Sequence, residues 1–149
     1  MSLSHLDEHG RPRMVDVGGK AVSRRTARAT GFIQLQHATI DLIASCRIQK
    51  GNVLVTAELA GVQAAKQTAA LIPLCHTLML TQVQVAATLE DAGVRVVSEV
   101  RCTGQTGVEM EALTAVSVAL LTIYDMCKAV DTTMTLGEIR LVKKTKERV

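Results

Sequence analysis

Apolar and polar positions change their period several times along the chain, and each change marks an element. From Leu80 to Glu90 the two classes alternate, Val83 and Val85 against Gln82 and Gln84. From Val94 to Cys102 they do so again, with Val94, Val96, Ser98 and Val100 against Arg95, Glu99 and Arg101. A period of two sends one set to each face of a strand, and Asp91-Ala92-Gly93 between the runs supplies a turn, so the pattern predicts a hairpin with one buried face. The period then changes. Between Ala112 and Tyr124 there is no charge, Gly or Pro, with Glu109 and Glu111 before the run and Asp125 and Lys128 after it. A run of this length, rich in Ala and Leu, is too long for one strand. It predicts a buried helix from Glu109 to Val130, with Leu113, Val116, Val118, Leu120, Leu121, Ile123, Met126 and Val130 inside.

The remaining elements follow from the same reading. Arg28 to Gln36, with Phe32, Ile33 and Leu35, predicts a strand, and His37 to Cys46, with Ile40, Ile43 and Ala44 at helical spacing, a short helix. Arg47 to Gly51 is a break, after which Asn52 suits a helix cap. From Val53 to about Leu71 the pattern is helical, and Ala57, Ala60, Gly61, Ala64, Ala65 and Thr68 form a small-residue stripe that lets a neighbouring backbone come close. Glu58 and Lys66 lie outside that stripe, on what reads as a solvated face. Pro73 ends the helix, because the residue before a proline is pushed out of the helical region, and leaves Leu74-Cys75-His76 in a loop. Leu136 to Val142 predicts a last strand with Ile139 and Leu141 on one face. Residues 1–20, polar and holding Gly10, Pro12, Gly18 and Gly19, read as a flexible arm ordered only by docking, and residues 143–149 as a loose basic tail. With the first short helix set aside, the order is strand, helix, strand, strand, helix, strand. This predicts an α+β, ferredoxin-like domain over residues 1–149, a mainly antiparallel sheet with helices packed on one face.

Composition narrows the chemistry. Phe32 and Tyr124 are the only aromatics and there is no Trp, which weakens any function that needs stacking platforms for single-stranded nucleic acid. Net charge is a mild +3, but cations gather near the two ends of the chain: Arg11, Arg13, Arg24, Arg25 and Arg28, then Lys143, Lys144, Lys146 and Arg148. Such a patch suits phosphates, on a small molecule or a nucleic acid, and is equally what a solvated surface looks like. Cys46, Cys75, Cys102 and Cys127 stand far apart with no CxxC and no signal-peptide pattern, so thiols in a reducing cytoplasm are expected. No uninterrupted apolar run reaches membrane-spanning length, and His5, His9 and His37 lack companions at metal-ligand spacing, so neither a span nor a metal site is expected. Walker A, GxGxxG, GxSxG and HExxH patterns do not occur.

Asp125 and Lys128, three apart, face the same way on a helix. A helix C-terminus disfavours Asp, so this carboxylate wants a cation beside it. The pair is either a capping ion pair or a proton-transfer pair tuned by mutual charge and by burial expected around Asp125. Glu109 and Glu111 sit where the helix dipole favours negative charge. Glu111 and Asp125 are 14 residues apart, roughly 21 Å at about 1.5 Å per residue. That is too far to grip one small reacting centre. Either the substrate is long or the site is shared, entry residues of one subunit facing exit residues of another. His76 reads as a hydrogen-bonded loop residue or as a site residue. Residue types alone stop at an acid/base enzyme or a phosphate-binding module.

The blocks MVDVGGK (Met14–Lys20), AELAGVQAAKQTAALIPLCH (Ala57–His76) and TGQTGVEMEALTAVSVALLTIYDMCKAVD (Thr103–Asp131) closely resemble the molybdenum cofactor biosynthesis protein C family, the cyclic pyranopterin monophosphate synthases. The similarity runs from about His5 to Lys144. It implies a ferredoxin-like fold and a homo-oligomer, a hexamer built from three dimers with active sites at subunit contacts. It implies action on 3′,8-cyclo-7,8-dihydroguanosine triphosphate, rearranged to the pyranopterin with closure of a cyclic phosphate and release of pyrophosphate. By this resemblance Asp125 and Lys128 match the catalytic acid/base pair of the YDMCK motif. Leu74, Cys75 and His76, with Met110 and Glu111 and the adjoining Glu109 of the VEME motif, match substrate-contacting positions. Lys50, Arg25 and Lys144 match basic positions suited to the triphosphate. The partner implied is a small molecule, with no nucleic acid and no membrane. No cofactor is required, and Mg²⁺ is compatible with the triphosphate. Thr77 stands where the family usually has Pro, and Thr145 to Val149 replaces its Gly-rich tail, so no contact beyond Lys144 carries over. The competing class is a noncatalytic module that binds nucleotides or nucleic acid through the basic patch.

Overall fold

A computed structural model describes residues 5–149 of the chain. Four strands, β1 (Ser23–Gln34), β2 (Leu80–Glu90), β3 (Gly93–Gly104) and β4 (Thr135–Arg148), form one antiparallel sheet in the order β2-β3-β1-β4. The helices are α1 (His37–Ala44), α2 (Val53–Lys66), α3 (Thr68–Leu71) and α4 (Glu109–Cys127). Alternation decides which face of the sheet they cover. Ala27, Ala29, Ile33, Val94, Val96, Val100 and Cys102 are buried against Ala112, Ala115, Val116, Ala119, Leu120 and Ile123 of α4 and Ala57 and Ala65 of α2. The open face carries Arg24, Arg28 and Arg101. The split βαβ order and the α+β, ferredoxin-like architecture read from the sequence are both present, with α1 and α3 as short additions.

The small-residue stripe on α2 has a direct use. A Cβ on Gly61 would meet the Ala115 carbonyl of α4 at 3.0 Å and Val85 of β2 at 2.9 Å, so α2 can lie against both only as glycine. Asn52 caps α2 through its side-chain oxygen, which accepts from Val55 N at 3.1 Å. The helix stops at Lys66, where Gln67 leaves helical geometry, and resumes as α3, so the single helix predicted to Leu71 is two. Glu58 is not on a solvated face: its Oε1 accepts from Ala87 N of β2 at 3.0 Å.

Other boundaries shift for identifiable reasons. β1 begins at Ser23 rather than Arg28, because Ser23 and Ala27 are buried while Arg24 and Arg28 point outward, an alternation carried by small residues and therefore faint in hydropathy. The tail from Lys143 is not loose. β4 runs to Arg148, pairing Lys143 with Arg28, Lys144 with Ala27 and Arg148 with Ser23. It is an edge strand, where charged side chains are tolerated and discourage further pairing. The long helix ends at Cys127 rather than Val130, and Leu121 and Val130 are exposed rather than buried. At 19 residues α4 is long and apolar enough to cross a bilayer, yet its inner face is committed to the sheet.

The arm is folded onto the domain. Leu6 bridges Pro12, and Gly18 and Lys20 hydrogen-bond to Gln105.

Candidate active site

The end of α4 is fixed by a buried carboxylate. Asp131, 1% exposed, accepts from Gln36 N and Thr39 Oγ1 at 2.9 Å each and from Thr133 N and Oγ1 at 2.9 and 3.1 Å. Burial pushes its carboxyl up, but these hydrogen bonds outweigh it and hold the group below its ordinary range. This ties the turn after α4 to the junction of β1 and α1. On the last turn of the helix stand Asp125 and, at its cap, Lys128.

Lys128 Nζ lies 2.9 Å from Asp125 Oδ1, and Lys50 Nζ lies 3.0 Å from Asp125 Oδ2 and donates to its main-chain carbonyl at 3.0 Å. Lys50 reaches this point from the turn between α1 and α2, beside Gly51, whose φ of +112° favours glycine. The two ammonium groups depress the Asp125 carboxyl, Lys128 first and Lys50 next, while Asp125 raises the Lys128 ammonium above its usual value. Asp125 and Lys128 are each 57% exposed at the side chain, so the burial expected around Asp125 is absent from the single chain. Hydrogen bonding and charge within the Lys50–Asp125–Lys128 cluster, rather than burial, tune this pair. At neutral pH the cluster is one carboxylate between two ammonium groups, a net cation with a proton to give.

The other end of α4 forms a pocket of about 330 Å³. Leu74, Cys75 and His76 line it with Glu109, Met110 and Glu111, together with Thr106, Gly107 and, from the arm, Val15, Val17 and Lys20. Glu111 is 5% exposed, and burial pushes its carboxyl up, partly offset by its own backbone hydrogen bond and reinforced to a lesser degree by the charge of Glu109. Burial and Glu111 likewise raise the Cys75 thiol, which argues against a thiolate nucleophile. The loop lacks the usual proline at Thr77, but Cys75 N bonds Ile72 O at 3.1 Å and the His76 ring holds the Val15 carbonyl at 2.6 Å. Lys144 Nζ, from β4, stands 3.3 Å from Glu109 Oε1.

The structure therefore gathers the sequence candidates into two groups. Lys50, Asp125 and Lys128 meet at one end of α4, and Leu74, Cys75, His76, Glu109, Met110, Glu111 and Lys144 at the other. Within one chain it does not join them. Arg25 stands nearer the second group, donating to the Gln105 carbonyl at 3.4 Å and to Ser23 Oγ at 2.6 Å. It also lines a cavity of about 540 Å³ with Arg24, Arg28, Arg101 and Lys143, whose charge Glu99 and Glu147 only partly offset. Sequence reasoning passed over Val15, Val17, Lys20 and Thr106 as pocket residues. The available signal was the MVDVGGK block, an apolar and cationic piece within an otherwise polar arm.

An ion-paired cluster of Lys50, Asp125 and Lys128 and a pocket lined by Glu109 and Glu111 thus stand at the two ends of one core helix on a ferredoxin-like domain. The chain belongs to the MoaC family, whose model matches residues 14–147. It is 60% identical over 144 residues to the cyclic pyranopterin monophosphate synthase of Chloroflexus aggregans, covering 95% of this chain and 87% of that protein. It is 57% identical over 145 residues to the synthase of Parvibaculum lavamentivorans, covering 96% and 91%, and 52% identical over 146 residues to that of Desulfitobacterium hafniense, covering 97% and 90%.

Proposed function

We propose that the chain is a cyclic pyranopterin monophosphate synthase, a lyase that converts 3′,8-cyclo-7,8-dihydroguanosine triphosphate to cyclic pyranopterin monophosphate and pyrophosphate. The single observation that carries this reading is the carboxylate of Asp125 clamped between Lys128 and Lys50. Lys128, held charged and aligned by Asp125, delivers or removes protons at the ring being opened. Closing the cyclic phosphate forms a bond from a substrate hydroxyl to the α-phosphorus and breaks the bond to pyrophosphate. The hydroxyl proton passes to a base, and cations such as Lys50 offset the charge of the leaving group. Arg25 and Lys144 serve the same phosphates.

The two halves of the site lie at opposite ends of α4, so a single chain does not complete it. We assign the working unit as a homo-oligomer, a hexamer of three dimers, in which the Asp125 end of one subunit faces the Glu111 pocket of another. The four cysteines are free thiols, which supports a cytoplasmic location. Mg²⁺ carried by the triphosphate is compatible with this reading. A nucleic-acid module would account for the basic face of the sheet but gives the clamp and the acidic pocket no task. The test is turnover of the cyclic nucleotide by purified protein, with Lys128→Ala and Asp125→Ala folding and assembling normally but forming no pyranopterin. Full turnover by either variant sinks the assignment.

A further inference from the structure

The arm residues Met14–Lys20 are pinned to the domain at two points. The side-chain nitrogen of Gln105 donates to the Gly18 carbonyl at 3.0 Å and to the Lys20 carbonyl at 3.1 Å, one amide hydrogen to each. Their orientation fixes the amide, because its oxygen in that position would face two other acceptors. Further back, the Val15 carbonyl meets His76 Nε2 at 2.6 Å. Between the pins the segment supports itself, with Asp16 Oδ1 accepting from Gly18 N at 2.8 Å and the Val17 carbonyl from Lys20 N at 3.0 Å. Gln105 belongs to the connection between β3 and α4, and His76 to the loop after α3. Leu74, Cys75 and His76 of one connection and Thr106 and Gly107 of the other line the pocket at the Glu111 end, together with Val15, Val17 and Lys20 of the arm. The arm is therefore a strap that joins the two connections and lines the pocket.

The strap has a chemical consequence. A carbonyl only accepts, so His76 Nε2 carries the hydrogen and the lone pair of the neutral ring is at Nδ1. While the strap is docked, His76 can accept a proton or a substrate hydrogen bond only through Nδ1. The Gln105 main chain is held as well, its carbonyl accepting from Arg25 at 3.4 Å.

We infer that Gln105 is a positioning residue of this pocket: its amide latches the strap, and the strap in turn orients the His76 ring and keeps Lys20 at the pocket wall. The inference rests on the pocket being the substrate site proposed above. Loss of two hydrogen bonds leaves the strap to be ordered by the substrate itself, so the cost falls on binding.

Gln105→Glu tests this directly, being nearly isosteric yet presenting only acceptors to two carbonyls. Gln105→Lys restores a donor. Without substrate, wild-type protein is expected to show an exchange-protected ring N–H for His76 in proton–nitrogen spectra, together with slow amide exchange at Gly18 and Lys20. Gln105→Glu should lose both, and Gln105→Lys should recover them. With the cyclic nucleotide, Gln105→Glu should raise KM roughly tenfold, the scale of two neutral hydrogen bonds, with kcat within about twofold. A Gln105→Glu protein that keeps the protected N–H and the wild-type KM overturns the latch. So does one whose only change is a lower melting temperature. The spectra need no substrate, so a protein inactive on the cyclic nucleotide would overturn the proposed function and leave the latch standing.

Discussion

Lys50 Nζ holds Asp125 twice, through the carboxylate and through the main-chain carbonyl, each at 3.0 Å. A cation contributed by a distant turn thus stitches the end of α4 in place and sets the charge of the carboxylate that faces Lys128. Lys50→Ala should leave the fold intact, since the group is exposed and surface ion pairs contribute little to stability. Asp125 would lose one of the two cations depressing its carboxyl, and its titration should move up toward the ordinary carboxylate range. The check is carbon-detected titration of Asp125 in both proteins; an unmoved midpoint would show that Lys128 alone sets it. Turnover should fall by roughly 100-fold or more, the usual scale for losing one preorganised charge at a reacting centre.

The sign of each shift at this end fixes a pH window. Asp125, with its carboxyl depressed, contributes its interaction above the ordinary carboxylate range and loses it as pH falls through the lowered value. Lys128, with its ammonium raised, contributes fully below the ordinary lysine value and loses it as pH climbs through the raised one. Between these limits the pair is constant. For the free protein a bend in the kcat/KM profile between about pH 5 and 9 is then expected from other groups. Lys128→Arg, which keeps charge but cannot yield its proton, should stay folded and inactive across the whole range, whereas recovery of activity at any pH would reduce Lys128 to an electrostatic role.

Glu111 behaves in the opposite sense. Burial raises its carboxyl, so the folded chain binds a proton that the unfolded chain releases, and stability falls as pH rises from the unfolded value of about 4.5 through the raised one. Glu111→Gln removes this penalty. Thermal melts from pH 4 to 8 should show the variant matching wild type at the acid end and exceeding it at neutral pH, while turnover is lost. Equal melting curves at pH 7 would mean the carboxylate is stabilised in a way the single chain does not display.

Asp131 and Gly61 hold the scaffold that these groups need. Asp131→Ala leaves the buried Thr39 hydroxyl and the part-buried Gln36 N and Thr133 N without their acceptor, a loss of about 3 kcal/mol. Gly61→Leu drives a side chain into the Ala115 carbonyl and Val85, at about 2–3 kcal/mol. Urea unfolding should rank both well below wild type with unchanged slope. Gly61→Ala should be the milder of the two glycine substitutions.

What the sequence disclosed and what it hid divide along a physical line. The hairpin and α4 were legible because large apolar residues carry their periodicity. The first five residues of β1 were not, since Ser23 and Ala27 fill the buried positions and Arg24, Arg25 and Thr26 the others. The far half of β4 was hidden because an edge strand draws its order from backbone pairing, to which hydropathy is blind. The two charged ends of α4 and their separation could be read from spacing. The exposure of Asp125 could not, because it depends on what covers the helix end. The His76 contact with Val15 joins segments 61 residues apart, which no local pattern encodes.

The separation along α4 leads to the sharpest test of the proposed assembly. If the Asp125 end of one chain faces the Glu111 pocket of another, Asp125→Ala and Glu111→Gln each ruin every site in their own homo-oligomer. Mixed by unfolding and refolding together, they produce some interfaces in which one site carries both lesions and the other carries neither. Random pairing of equal amounts should restore up to about one quarter of wild-type activity, since half of the dimers are mixed and each mixed dimer has one intact site. A site built within one chain can never be rescued this way, because each chain brings its own lesion to it. Activity of the co-refolded mixture that stays at the level of the separate variants, with mixed oligomers verified by native mass spectrometry, would overturn the shared site.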